Sequence, residues 1–111
     1  MNMEINRFND SIATFGITKY TYRNEDYRLI NNYIMGFEIS ENPRVEREGL
    51  IKIITRNGDF IIYEDTYDLF DDFKEKANIL VDKIVEKLRY NFTSNIDINK
   101  LIKEVFLHNE Q

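Results

Sequence analysis

The residues with most chemistry to offer are carboxylates. Asp68, Asp71, Asp72, Glu75, Asp82 and Glu86 recur through one stretch of the chain. At 100° per residue they fall within about 60° of one line along a helix. Ile79 sits in the middle of that line. Acids repeating about every 5.4 Å turn, broken by a single aliphatic anchor, suit a basic protein groove. The line is nearly all of one sign, whereas ordinary surface helices mix signs at i,i+4 for stability. The competing reading is that any soluble amphipathic helix has a charged outer side.

Other chemistry finds little support. His108, the only histidine, lies a few residues from the C-terminus and reads as a solvated tail residue, not a general base. Ser11, Ser40 and Ser94 have no histidine placed in sequence to activate them, and Ser94 reads as a helix cap. Gly16, Gly36, Gly49 and Gly58 are scattered and mark turns or stops, with no phosphate-binding pattern among them. With no cysteine there is neither a disulfide framework nor thiolate chemistry. The carboxylates run along a helix instead of around a glycine-turned loop, so no calcium site is expected. Catalytic residues, metal and cofactor are therefore all expected to be absent, and the chain reads as a non-enzyme.

Charge narrows the partners. Twenty acids against fifteen bases give a net charge of −5, which favours basic partners over nucleic acid or anionic membrane. Lys74, Lys76, Lys83, Lys87, Arg89, Lys100 and Lys103 alternate with acids on the helix flanks. They read as salt-bridged surface and not as a nucleic-acid stripe. No signal peptide and no apolar run of about 18 residues is visible, so a cytoplasmic location is expected.

The elements that must position the acidic line are read as follows. The 111 residues, 42% hydrophobic and 14% aromatic, suit a single domain over 1–111 with a packed core. Leu50–Arg56 and Asp59–Glu64 flank Asn57-Gly58, the signature of a hairpin with a type I′ turn. A two-residue turn there would set Arg56 opposite Asp59, as an ion pair, and Ile53 opposite Ile62. Ile51, Ile53, Thr55, Phe60 and Ile62 would form the core face. Lys52, Ile54, Ile61 and Tyr63 would form a second face, apolar enough to need a cover within the chain or from a second copy. Monomer and homodimer both stay open. A long helix capped by Asp65 or Thr66 would bury Phe70, Phe73, Ala77, Leu80, Val81, Ile84 and Leu88.

Ile5, Phe8, Ile12 and Phe15 have helical spacing and predict an N-terminal helix stopped at Gly16. Ile17–Tyr22 reads as a strand and Arg23–Asp26 as a polar turn. Tyr27–Met35 fits either helix or strand, with strand favoured over Tyr33–Ser40. Ser94 and Asp97 have capping-box spacing before a second helical stripe of Ile98, Leu101, Ile102, Val105 and Phe106. The fold class is α+β: an N-terminal helix, an antiparallel sheet of three to four strands, and a long and a short C-terminal helix packed on one face.

In order of elements, size and charge the chain resembles small acidic phage-encoded anti-CRISPR proteins. In particular it resembles those that inhibit the single-protein DNA-cutting CRISPR nuclease. No residue motif is shared, so no functional residue carries over, and the charge here is only moderately negative. The resemblance implies a protein-binding inhibitor that fills a DNA-entry groove as a phosphate mimic. The partner would be a CRISPR effector nuclease. An immunity protein or antitoxin that neutralises a toxin would use the same acidic-face physics. In either reading Asp68, Asp71, Asp72, Glu75, Ile79, Asp82 and Glu86 are the expected partner-binding residues.

Overall fold

The computed structural model describes residues 2–7, 16–90 and 95–107, and for Tyr90 the backbone alone. Among the described residues seven strands and two α-helices run in the order β1 (Met3–Arg7), β2 (Ile17–Tyr22), β3 (Glu25–Ile30), β4 (Ile34–Glu41), β5 (Glu48–Thr55), β6 (Gly58–Thr66), α1 (Phe70–Tyr90), β7 (Ile96–Asp97) and α2 (Ile98–Ile102). A 3₁₀ turn, Asn31–Tyr33, joins β3 to β4, and a π-helical turn, Lys103–Leu107, continues α2. The strands form two sheets, β1-β4-β5-β6 and β3-β2-β7. All pairings are antiparallel except β2 with β7, which is parallel. The α+β class stands.

The first described element is a strand and not the expected helix. Met3–Arg7 is an edge strand paired with β4, Ile5 opposite Glu38. Phe8, Ile12 and Phe15 of the expected helix lie outside the described residues. Ile5 is 43% exposed, so the helical spacing that begins with it is not a buried stripe. Instead Glu4 and Asn6 turn towards α1, where Asn78 Nδ2 donates to Glu4 Oε2 at 2.9 Å. Long-range ladder bonds override a weak local preference here.

The type I′ geometry sits one hairpin earlier than Asn-Gly suggests. Arg23 and Asn24, between the paired Tyr22 and Glu25, both have positive φ, 51° and 66°. That is the requirement of a two-residue I′ loop, met here without glycine. Glu25 and Asp26, expected in the turn, open β3. In the β5–β6 hairpin Thr55 pairs with Gly58, so Arg56 and Asn57 are the central residues and only Gly58 has positive φ. The Thr55 hydroxyl closes this turn. It accepts from the Asn57 N–H at 3.1 Å and donates to the Gly58 carbonyl at 2.9 Å. Arg56 lies over the Tyr33 ring at 5.3 Å and is not paired with Asp59.

This register is two residues from the expected one, Ile53 facing Phe60 and Ile54 facing Asp59. A shift of two preserves faces, so Ile51, Ile53 and Phe60 still point to the core. A bulge between Ile51 and Lys52 then adds Ile62 to β6 and sets Tyr63 opposite Ile51. Both Ile62 and Tyr63 thereby join the core side. Tyr63, expected on the second face, packs against Phe106 in a tilted ring contact at 4.6 Å. The second face is largely closed: Leu50 and Ile54 are buried, Ile61 is half-buried, and Lys52 pairs with Glu38 at 3.4 Å. Met3 and Ile5 remain exposed on it.

α1 starts later than expected. β6 runs to Thr66, where Gly49–Asp65 and Glu48–Thr66 pairs hold the chain extended. Every apolar residue expected on the inner stripe of α1 is buried. The helix lies over β4 and β5, and a side chain at Gly49 would overlap the Phe73 ring. α2 packs on α1 and β2, with Ile98, Leu101 and Ile102 buried, and Val105 of the following π-helical turn is buried too. Its N-cap is Asp97, which accepts from the Lys100 N–H at 3.3 Å. The expected cap, Ser94, lies outside the described residues.

The second sheet closes the core with Tyr20, Tyr22, Tyr27 and Leu29. Thr18 and Asn31, both almost fully buried, bond to each other at 2.6 Å and tie β2 to the turn before β4. Burial, with the coulombic effect of Tyr27 stacked at 4.9 Å, pushes the Tyr20 hydroxyl up to about 12. Its unfolded value lies near 10, so the stabilisation is complete below about pH 10 and is lost as pH rises towards the folded value. Tyr20→Phe is therefore expected to flatten the decline of the thermal midpoint between about pH 10 and 12. Equal declines for the two proteins would count against Tyr20 as a source of the alkaline sensitivity.

Candidate functional site: the outer side of the long helix

Six of the seven sequence-predicted residues stand on one helix. Asp71, Asp72, Glu75, Ile79, Asp82 and Glu86 all lie within α1 and all are exposed. Taking Asp72 as zero and 100° per residue, they occupy an arc of about 100°, opposite the stripe that runs through Leu80 and Ile84. From Asp71 to Glu86 the arc extends about 22 Å at 1.5 Å per residue. The reason is plain amphipathicity: once the apolar stripe packs on the sheet, the opposite side must face out. Asp68 is exposed but precedes the helix, because α1 begins at Phe70. It belongs instead to the bend that leads in.

The line is electrostatically open. Among the described residues only one of its acids is in an ion pair, Asp71 with Lys74 at 3.9 Å, and that carboxylate is 91% exposed. Lys83, on the flank of the line, pairs with Glu104 at 4.0 Å instead. Ile79 is 46% exposed at the centre. The arrangement can present a strip of negative charge with one apolar point.

Chemistry elsewhere is limited. Ser40 is buried and donates to Glu38 Oε2 at 3.0 Å, the same oxygen that Lys52 approaches. That cluster satisfies polar groups on the sheet and leaves the hydroxyl without access. His108, Ser11 and Ser94 lie outside the described residues. Among the described residues no group of three or more His, Cys, Asp or Glu could hold a metal ion. No helix among them is long and apolar enough to cross a membrane.

Sequence reasoning missed a second feature, at the N-terminal end of α1. Asn2, Glu41, Tyr67, Leu69 and the 42–47 loop surround a groove of about 350 Å³. Glu41 accepts from Asn2 Nδ2 at 2.8 Å, from the Asn2 N–H at 3.2 Å and from the Tyr67 hydroxyl at 3.1 Å. The Asn2 side-chain and backbone bonds, above all, hold its carboxyl below the usual carboxylate range. Leu69 is 65% exposed, the most exposed large apolar side chain among the described residues. Its position just outside the helix was the available signal, hidden while the helix was expected to start earlier.

Comparison of the chain with protein-family models, with curated proteins and with solved structures finds no match to any of the three.

Proposed function

We propose that the chain is a non-enzymatic inhibitor that docks the acidic side of α1 into a basic, nucleic-acid-binding groove of a partner protein in the host cytoplasm. The observation that carries this reading is the open line itself. Five exposed carboxylates flank one exposed isoleucine on a single side of a 21-residue helix, and only one of them is paired within the described chain. A rigid row of acids with helical pitch presents charge to cations that otherwise hold phosphate. The resemblance to anti-CRISPR inhibitors points to a CRISPR effector nuclease as the class of partner.

Affinity capture from host lysate supplies the partner, and the variant Glu75→Lys, Asp82→Lys tests the face. Both residues are exposed, so stability is expected to change by less than about 0.5 kcal/mol per site. Affinity is expected to fall by about tenfold or more, and wild-type affinity to weaken with salt. Ile79→Ala should weaken binding with little salt dependence, since apolar burial is not screened. Wild-type affinity in the double variant would remove α1 from the interface.

A further inference from the structure

We propose that the groove between the 42–47 loop and residues 67–70 seats one aliphatic side chain from a lysine- or arginine-flanked segment of the partner. The inference rests on the reading that the acidic side of α1 docks on a basic protein, and it extends that surface beyond the helix's N-terminal end. Val45, 45% exposed, and Leu69, 65% exposed, both line the groove, together with the buried Phe70. Two exposed aliphatic side chains thus line one concavity, where a single apolar side chain could cover both.

The groove is preformed. The Tyr67 N–H donates to the Arg47 carbonyl at 3.0 Å, joining its two walls. Across the loop the Asn42 N–H donates to the Glu48 carbonyl at 2.8 Å, and Asn42 Nδ2 donates to Glu48 Oε1 at 2.7 Å. Arg47 is held at φ 55°. Little ordering entropy then remains to oppose an entering side chain.

Charge selects the occupant. Glu41, Glu46 and Asp68 line the groove against one base, Arg47. Asp71 and Asp72 follow at once on α1. Three carboxylates and one guanidinium leave a net negative rim around an apolar centre. A second copy of this chain, at net charge −5, would meet that rim with charge of its own sign, and so would an anionic lipid surface. A basic segment with an aliphatic residue is complementary in both respects. The volume is at the small end of the roughly 300–1,000 Å³ of small-molecule sites, suited to one side chain.

The test uses the full chain with labelled methyl groups and two capped pentapeptides. One has leucine between two pairs of lysine, the other serine in its place. The leucine peptide is expected to shift the Val45 and Leu69 methyl resonances and to bind about fivefold more tightly than the serine peptide. Leu69→Ser, at an exposed position, is expected to remove that difference while leaving the amide spectrum folded. Val45→Ser should do the same. Equal binding of the two peptides, or a leucine peptide that shifts only α1 resonances, would overturn the groove and leave the α1 reading intact. If instead the Glu75→Lys, Asp82→Lys variant keeps both its lysate partner and the leucine preference, the groove stands and the α1 reading fails.

Discussion

Replacing Leu80 by alanine is expected to cost about 2–5 kcal/mol of folding free energy. Leu80 is fully buried on the inner stripe of α1, within the same core cluster as Ile51, Ile53, Ala77 and Ile84. Truncation loses the transfer free energy of the side chain and leaves a void that close-packed neighbours fill only in part. At this chain length each kcal/mol lowers the thermal midpoint by roughly 4–8 °C. Urea unfolding monitored by circular dichroism measures the difference directly. A loss below about 0.5 kcal/mol, the range of surface substitutions, would place Leu80 outside the core.

Gly36→Ala is expected to detach the N-terminal strand. A Cβ built at Gly36 meets the Asn6 carbonyl oxygen and lies 2.9 Å from the Arg7 Cα. These are backbone atoms of β1, so no rotamer change relieves the overlap. β1 must move off β4, where Arg7 faces Gly36 and Asn6 faces Phe37. Overpacking of this kind costs about 1–3 kcal/mol. Gly36 does not have positive φ, so the effect comes from space and not from backbone strain. Hydrogen exchange separates this from general loosening. Amides of β1 should lose protection while those of β5 and α1 keep theirs. Unchanged protection across Met3–Arg7 would show that the strand tolerates a side chain there. The contrasting glycine is Gly49, where an added Cβ would overlap the side-chain ring of Phe73 on α1 and no strand backbone.

Much of this protein follows from local pattern. The apolar stripe of α1 is set by 3.6-residue spacing, and all seven of its expected members are buried. The direction in which the acidic line faces is a corollary of that stripe, so Asp71, Asp72, Glu75, Ile79, Asp82 and Glu86 were legible together. The β5–β6 hairpin is announced by its turn and its flanking isoleucines. Even a wrong turn position kept Ile51, Ile53 and Phe60 facing the core, because strand periodicity is two and the error was two.

What the chain alone did not determine depends on residues far apart in sequence. Ile5 has helical companions nearby, yet ladder bonds to β4, more than thirty positions away, make it part of a strand. Tyr63 changes sides because of a bulge, and a bulge is a choice between two packings with no local signature. Ile96-Asp97 becomes a strand only because β2 lies beside it in parallel. The start of α1 was misplaced because Asp65 and Thr66 are good caps in isolation, whereas pairing with Gly49 and Glu48 keeps them extended. That last decision moves Asp68 and Leu69 out of the helix and into the wall of the groove. Periodicity therefore determined which way the helix faces, and long-range pairing decided where it begins and what stands beside it.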